Sequence, residues 1–270
     1  MQKPLTQAEI VDGLKKLGLK RGLAVEVHSS LSSLGYVGGG ASTVVKALME
    51  VVGEEGAIVM SAYLVTLPLT LTEEEKAKGI VAKVRLLEEG ANCKTGMGII
   101  ADTFCKWPNV CMGQGKHRVC AWGHNAQLHS QGYAYLLSIE GWVLLLGVDI
   151  NRCSSMHIAE GKVGWPPAIV EHFRLPEEIQ RQYPDTEWYV QYHDPRKPEP
   201  ENAWGKVQLE AERRGMIKRG RIGDAECLLF KAKPVVELYE EFLRTDPFAL
   251  FGVEKIVVPA HSPAHKGGLR

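Results

Sequence analysis

The run Trp142-Val143-Leu144-Leu145-Leu146-Gly147-Val148 constrains the fold more than any other part of the chain, because it contains no charged residue. Side chains of a strand alternate between the two faces of its sheet, so this run is apolar on both faces. Strands of this kind lie at the centre of sheets that carry helices on either side. The run therefore predicts an α/β protein with a central sheet flanked by helices.

Residues 1–60 follow the same plan. Thr6-Gln7-Ala8-Glu9 is a capping box, which starts a helix that Gly18 is placed to end. A strand is predicted at 23–28, a helix at 44–52 and a second buried strand at 57–60. The order helix, strand, loop, helix, strand predicts an α/β opening and a mixed sheet.

Two later stretches are less regular. A helix is predicted to start at Thr72 and to end at Gly90, within a peripheral excursion. Prolines and charges dominate residues 171–204, which are predicted to form a loop-rich, strand-poor substrate side of a single domain spanning 1–270. The tail, 261–270, is predicted to be mobile.

The charge balance argues against a nucleic-acid partner. Lysine plus arginine equals aspartate plus glutamate at 32 each, so no basic face is expected and nucleic acid is not a predicted partner. The segment 171–201 holds eight acids against four basic residues, which suits either a solvated face or a charged ligand. The apolar charge-free stretch 56–72 contains Pro68 and is shorter than the ~20 apolar residues of a membrane helix.

The six cysteines show no C-x-x-C pair and no zinc-like spacing with histidine, so neither a disulfide framework nor a metal is predicted. No signal-peptide core opens the sequence. These features favour a cytoplasmic protein with free, mostly buried thiols. The cysteines are Cys93, Cys105, Cys111, Cys120, Cys153 and Cys227.

The first candidate site is the polar loop that follows the first strand. Small side chains leave hydroxyls and backbone amides accessible just before a helix begins, which suits the phosphates or pantetheine amides of a cofactor. The loop lacks the lysine of a Walker motif and the order of G-x-G-x-x-G, so an ordinary serine-rich turn is the alternative. Its candidate cofactor-binding residues are His28, Ser29, Ser30, Leu31, Ser32, Ser33, Gly39 and Gly40.

The second candidate site, Ser154 to Glu160, follows the central strand. His157 and Glu160 are three residues apart and share one face of a helix. A carboxylate there can hold a proton on one imidazole nitrogen and leave the other as a base. A structural histidine beside a surface glutamate is the alternative. Cys153 as a nucleophile and a serine triad are weaker alternatives, since no G-x-S-x-G elbow is present.

Several short sequence blocks resemble those of the aminoglycoside 3-N-acetyltransferase family and occur in the same order. Each block is weak alone, and together they run from about residue 8 to 243. The blocks are His28–Gly35 with Gly39-Gly40, 44–48, 56–60, Met97-Gly98, Asp102-Thr103-Phe104, Ala121-Trp122-Gly123, Leu144–Val148, Ser154–Glu160, Ile222–Ala225 and Leu229–Ala232.

The resemblance implies the α/β fold of that family, which is distinct from the GNAT fold, and a part in antibiotic resistance. It implies acetyl-coenzyme A as co-substrate, held by the serine-rich loop, and a primary amine of an aminoglycoside-like acceptor. His157 is then the general base, Glu160 orients it, and Ser154 is a donor to the tetrahedral oxyanion or thiolate. A homodimer is left open.

The chain departs from the family at one block. Relatives carry Arg-Ser-x-His-Pro where this chain has Cys111-Met112-Gly113-Gln114-Gly115, and threonine where it has Ser154. His117 and Arg118 lie close to this block. The departure leaves open an acetyltransferase for a different amine of secondary metabolism, or a catalytically silent coenzyme A-binding protein of the same fold.

Overall fold

A mixed sheet organises the chain in the computed structural model, which describes residues 3–90, 95–184 and 186–254. Its central sheet has seven strands in the order β4-β5-β2-β1-β6-β9-β8, and a separate ribbon pairs β3 with β7. The strands are β1 (Ala24–Ser29), β2 (Ala57–Ser61), β3 (Ile80–Arg85), β4 (Cys111–Met112), β5 (Val119–Gly123), β6 (Trp142–Leu146), β7 (Trp188–Tyr192), β8 (Ile217–Ile222) and β9 (Ala225–Lys231).

Helices cover both faces of this sheet, as the sequence predicts. The helices are α1 (Gln7–Leu17), α2 (Gly40–Val52), α3 (Glu73–Ala77), α4 (Ile99–Phe104), α5 (Ala126–His129), α6 (Tyr133–Ser138), α7 (His157–Val163), α8 (Pro167–His172), α9 (Glu177–Gln182), α10 (Ala203–Arg213), α11 (Ala232–Thr245) and α12 (Pro247–Phe251). Within the described ranges, none of them is long and apolar enough to span a membrane.

Local signals set the first elements. The Thr6 hydroxyl accepts from the Glu9 backbone N–H and the Glu9 carboxylate accepts from the Thr6 N–H, which is the predicted capping box. Gly18 ends α1 with φ 113°, a left-handed conformation that favours glycine. Helix α2 ends at Val52 and strand β2 begins at Ala57, as expected.

Strand β6 is a central strand, which confirms the prediction made from its apolar run. It is parallel to β1 and antiparallel to β9. Leu144 and Leu146 enter one core with α1, α2 and α4, whereas Val143 and Leu145 enter a second core with α6, α7, α10 and α11. Because each of these side chains is fully buried, each contributes roughly 1.5–3 kcal/mol through the hydrophobic effect.

The excursion after β2 differs from the prediction. The helix that starts after Thr72 ends at Ala77 rather than at Gly90, and strand β3 follows it. The stretch predicted as strand-poor, 171–204, contains helix α9 and strand β7, which pairs antiparallel with β3. This pairing joins segments far apart in the chain, so local composition does not reveal it.

A buried polar contact anchors the β3–β7 ribbon. The Glu75 carboxylate pairs with the ammonium of Lys83 and accepts from the Tyr183 hydroxyl. The hydrogen bond from Lys83 makes the largest contribution to lowering the pKa of Glu75, which falls to about 2. Glu75 thereby links α3, β3 and the segment after α9. The predicted mobile tail, 261–270, lies outside the described residues.

Candidate functional site

The two candidate segments leave the carboxyl ends of neighbouring parallel strands. Ser29 at the end of β1 is paired with Leu146 at the end of β6, and the Ser30 N–H donates to the Leu146 carbonyl at 3.0 Å. From these ends the chain turns to opposite faces, toward α2 after β1 and toward α7 after β6. Open α/β sheets place their ligands at such a switch point.

His157 and Glu160 form a hydrogen-bonded pair on the first turn of α7. Nδ1 of His157 lies 2.7 Å from Oε2 of Glu160. The Glu160 side chain is 10% exposed and the His157 side chain 58% exposed. The carboxylate is thus largely desolvated, while the imidazole remains accessible. This geometry fits a base held in one orientation from the protein side.

Helix α11 supports this pair from behind. The Tyr239 hydroxyl donates to Oε1 of Glu160 at 3.0 Å, so both carboxylate oxygens are bound. Burial, and secondly the Glu160 charge, raise the pKa of Tyr239, which keeps the phenol protonated as a donor. Trp204 packs edge-on against the His157 ring at 4.9 Å. Tyr239 and Trp204 therefore fix the carboxylate and one side of the imidazole.

Ser154 ends a chain of buried hydroxyls that the sequence reading missed. Its Oγ lies 2.8 Å from Oγ of Ser61, which in turn lies 2.7 Å from the Tyr133 hydroxyl. The Tyr63 side chain lies beside these hydroxyls, and burial raises its pKa. Ser61 ends β2, which is parallel to β1 and lies beside it. A polar residue at the carboxyl end of a predicted strand could therefore have indicated a site residue.

A second carboxylate–histidine pair lies beneath the same turn. Glu26 and His28 share one face of β1, and Nε2 of His28 lies 2.6 Å from Oε1 of Glu26. The Ser154 N–H points at the same nitrogen at 3.2 Å, and the Ser155 N–H donates to Oε1 at 3.1 Å. Glu26 is fully buried and the His28 side chain is 11% exposed. This pair docks the turn Ser154–Met156 onto the sheet.

Three serines of the predicted cofactor loop form hydrogen bonds with one another. The Ser33 hydroxyl donates to Oγ of Ser30 at 2.8 Å, and Oγ of Ser32 lies 3.2 Å from the same atom. Gly39 has φ 80°, and a Cβ added there would lie 2.4 Å from Oγ1 of Thr43. The turn itself therefore requires glycine at this position.

The remaining predicted loop residues divide between core and surface. Leu31 packs against the core beside α2, and Ser29 belongs to β1. Gly40 begins α2 with φ 63°, and a Cβ there would meet no atom within 4 Å. The structure brings Ser29, Ser30 and His28 to the carboxyl ends of β1 and β6, where Ser154 also lies. Gly39 and Gly40 lie at the far end of the loop, where α2 begins.

The block that departs from the family pattern lies on an edge strand. Cys111-Met112 forms β4, which pairs with β5. His117 packs between two tyrosines, with ring centroids 5.3 Å from Tyr63 and 5.5 Å from Tyr189 of β7. Arg118 forms an ion pair with Glu89 at 3.1 Å and donates through Nε to the Ala62 carbonyl. Aromatic contacts thus connect the hydroxyl network to the β3–β7 ribbon.

No metal-binding cluster is found in the described part of the chain, where no three His, Cys, Asp or Glu side chains could hold an ion. The groups that the site offers are an oriented imidazole, a buried hydroxyl chain and backbone amides. These groups suit proton transfer and stabilisation of a developing oxyanion.

Sequence and structure comparisons relate the chain to known proteins. The sequence profile of the aminoglycoside 3-N-acetyltransferases matches residues 27–244. The chain is 31% identical over 273 residues to the SPbeta prophage-derived aminoglycoside N(3')-acetyltransferase-like protein YokD of Bacillus subtilis strain 168, covering 90% of this chain and 94% of YokD. The crystal structure of YokD superposes with a TM-score of 0.64 over 92% of this chain and 96% of that one.

More distant proteins match over similar lengths. Aminoglycoside N(3)-acetyltransferase III of Pseudomonas aeruginosa is 25% identical, with 90% of this chain and 94% of that protein covered. The structure of AAC-IIIb as a binary complex with CoASH superposes with a TM-score of 0.65 at 20% identity, over 94% of this chain and 100% of that chain. Together with the seven-stranded sheet, these superpositions confirm the predicted α/β fold.

Proposed function

The chain belongs to the aminoglycoside 3-N-acetyltransferase family, and we propose that it works with acetyl-coenzyme A and a histidine base. Family membership makes it an acetyl-transferring enzyme. The acetyl group passes from acetyl-coenzyme A to a primary amine of an aminoglycoside-like acceptor. The observation that carries this mechanism is the 2.7 Å contact between Nδ1 of His157 and Oε2 of Glu160.

His157 acts as the general base. A proton held on Nδ1 by Glu160 leaves Nε2 free to accept one from the acceptor amine. The amine nitrogen attacks the thioester carbonyl carbon, its proton passes to His157, and the carbon–sulfur bond then breaks. The imidazolium returns that proton to the leaving thiolate. Glu160 stabilises the imidazolium between these two transfers, which is why its own burial and its bond from Tyr239 matter.

Ser154 is the proposed donor to the tetrahedral oxyanion. It lies three residues before His157, at the start of the same turn, and its hydroxyl is oriented by Ser61. Backbone docking onto His28 and Glu26 holds the turn in place before the substrate arrives. A donor fixed in advance stabilises developing charge without reorganisation.

The loop from Ser29 to Gly40 is the proposed binding segment for coenzyme A. It follows the carboxyl end of β1, next to the end of β6 that leads to His157. Its serines and glycines leave the backbone accessible. AAC-IIIb, which superposes over nearly the whole chain, was solved with CoASH. This likeness supports a coenzyme A site in the same fold.

The segment 171–204 is proposed as the acceptor side of a single domain. Trp204 at its end touches the His157 ring, and Tyr189 of β7 touches His117. The C-terminal end of the segment therefore borders the His157–Glu160 pair, and its strand β7 borders His117. We also propose a cytoplasmic location. The homodimer stays a prediction, which the molar mass from light scattering would test.

A thiol-release assay tests the proposal. The protein is given acetyl-coenzyme A with a panel of aminoglycosides and small primary amines, and free coenzyme A is measured over time. His157→Ala is compared with His124→Ala, since His124 is an exposed histidine after β5, at the opposite edge of the sheet. We expect turnover with an aminoglycoside, a loss of ~10²–10⁴-fold in His157→Ala, and no change in His124→Ala.

Each outcome decides between the alternatives. Turnover only with small amines would replace the aminoglycoside acceptor and keep the acetyltransferase. Coenzyme A binding in calorimetry without turnover on any acceptor would indicate the silent protein of the same fold. Near-native turnover in His157→Ala, with an active acceptor, would refute the assignment of the base.

A further inference from the structure

Two free thiols meet outside the acetyl-transfer site. Cys105 directly follows α4 and Cys120 lies in β5, and their Sγ atoms are 3.0 Å apart. A disulfide bond is about 2.05 Å long, so about 1 Å of sulfur movement separates this contact from a covalent bond. Neither thiol belongs to the proposed acetyl-transfer machinery.

The backbone on both sides holds this contact in place. Cys120 is paired with Met60 in the ladder between β5 and β2, and its Sγ lies 3.5 Å from the Met60 carbonyl oxygen. The Cys105 N–H donates to the Ala101 carbonyl at 2.9 Å, at the last turn of α4. Phe104 beside it is fully buried in the core. The two sulfur atoms therefore face each other from anchored elements rather than from loops.

The two thiols differ in exposure and in acidity. Cys120 is fully buried, whereas Cys105 is half-buried. Hydrogen bonding from Cys120 lowers the pKa of Cys105, and the same contact raises the pKa of Cys120. The more accessible sulfur is thus also the one that ionises first, which is the arrangement of an attacking thiolate with a buried partner.

We propose that Cys105 and Cys120 form a peroxide-reactive dithiol, with Cys105 as the attacking cysteine and Cys120 as the resolving cysteine. The Cys105 thiolate attacks one oxygen of hydrogen peroxide, so that a sulfur–oxygen bond forms, the oxygen–oxygen bond breaks, and hydroxide leaves as water. Cys120 then attacks the sulfenic sulfur, a sulfur–sulfur bond forms, and the second oxygen leaves as water. Two thiols and one peroxide give one disulfide and two waters.

The sequence makes the product easy to locate, because each of the six cysteines falls in a different tryptic peptide. Cys105 lies in 95–106 and Cys120 in 119–152, whereas Cys111 lies in 107–116 and Cys93 in 86–94. The protein is treated with increasing hydrogen peroxide, and remaining thiols are alkylated before digestion. Peptide pairs are then identified by mass spectrometry without reduction.

Three variants and the native protein separate the two roles. Native protein and the control Cys111→Ser are expected to lose two thiols per chain and to yield the linked pair of peptides 95–106 and 119–152. Cys105→Ser and Cys120→Ser are expected to lose this pair completely. Dimedone, which traps sulfenic acid, is expected to label peptide 95–106 in Cys120→Ser and to leave 119–152 unlabelled in Cys105→Ser. Circular dichroism verifies that each variant is folded.

Three results would overturn the proposal. One is native protein that keeps both thiols at peroxide levels that oxidise a model thiol. Another is a dominant link between 95–106 and a peptide other than 119–152, such as 86–94 or 107–116. The third is dimedone labelling of 119–152 rather than 95–106, which would reverse the assigned roles. Coenzyme A and acceptor are absent from every arm, so failure of the acetyl-transfer proposal would not affect these readouts.

Discussion

Glu160→Gln tests whether the carboxylate behind His157 contributes to the chemical step. The change keeps the size of the side chain and removes its negative charge, which faces Nδ1 at 2.7 Å. A hydrogen bond to a charged group contributes about 1.5–3 kcal/mol, and each 1.36 kcal/mol in the barrier is tenfold in rate. We therefore expect kcat to fall by roughly 10- to 150-fold.

Two neighbouring substitutions bracket this effect. His157→Ala removes the base and is expected to cost about 10²–10⁴-fold in kcat. Tyr239→Phe removes a donor at 3.0 Å from Oε1 of Glu160. Because this donor acts on the base only through Glu160, we expect just part of the ~1.5–3 kcal/mol of a hydrogen bond to a charged group to reach the barrier, a loss of roughly 2- to 10-fold in kcat. The predicted order of severity is His157→Ala, then Glu160→Gln, then Tyr239→Phe.

Glu240→Gln is the matched control, because Glu240 lies on α11 beside Tyr239 and pairs with Lys162 of α7 at 2.7 Å. It alters the same helix interface without touching His157. Steady-state thiol release with an active acceptor gives kcat for each variant across pH. In Glu160→Gln the acid limb of the pH–rate profile should move to lower pH, since a neutral amide stabilises imidazolium less than a carboxylate does. Equal kcat in Glu160→Gln and Glu240→Gln, with unchanged profiles, would refute the role of Glu160.

Three further predictions concern other parts of the structure. Ser154→Ala is expected to lower kcat by about 10²-fold and Ser154→Thr to retain most activity, because only the first removes the proposed oxyanion donor. Ser32→Val is expected to weaken coenzyme A binding in calorimetry by about tenfold while apo melting stays unchanged, since Ser32 is exposed and its φ is not positive. Gly39→Val is unsuitable for that test, because its Cβ would clash with Thr43 and lower apo stability. Burial, and secondly the charge of His124, lower the pKa of His129 from 6.5 to about 4. As pH falls below 6.5, His129 of the unfolded chain therefore binds a proton that His129 of the folded chain does not. The free energy of unfolding of the native protein should then drop by about 1–3 kcal/mol between pH 6.5 and pH 4. Denaturant titration measures this drop, which should be absent in His129→Phe.

The sequence predicted the central layer of the fold because its signals are local. An apolar run marks β6 without reference to any partner, and the Thr6–Glu9 capping box and Gly18 mark both ends of α1. The same reasoning placed His157 and Glu160 on one helix face, where the structure shows them hydrogen-bonded. Each of these inferences depends on residues within one turn or one strand.

Long-range contacts explain what the sequence did not reveal. Thr72 marks the start of α3, but the helix ends at Ala77 because the next residues pair with β7 more than a hundred residues later. Ser61 and Tyr133 likewise reach Ser154 across three elements. The spacing of residues along the chain does not predict such contacts, because they depend on tertiary packing.

Geometry also distinguishes the two histidines that were predicted as site residues, His28 in the cofactor loop and His157 as the base. His28 and His157 both lie near Ser154 and both are bound to a glutamate, at 2.6 and 2.7 Å. In His28 the nitrogen that faces Glu26 also receives the Ser154 N–H, and the ring is nearly enclosed. In His157 the bound nitrogen is Nδ1, and more than half of the side chain is exposed. A base must reach the acceptor amine, so its exposure favours His157 over His28 for the proposed role. The enclosed His28 accepts the contact from the Ser154 N–H, which suits a residue that positions this turn.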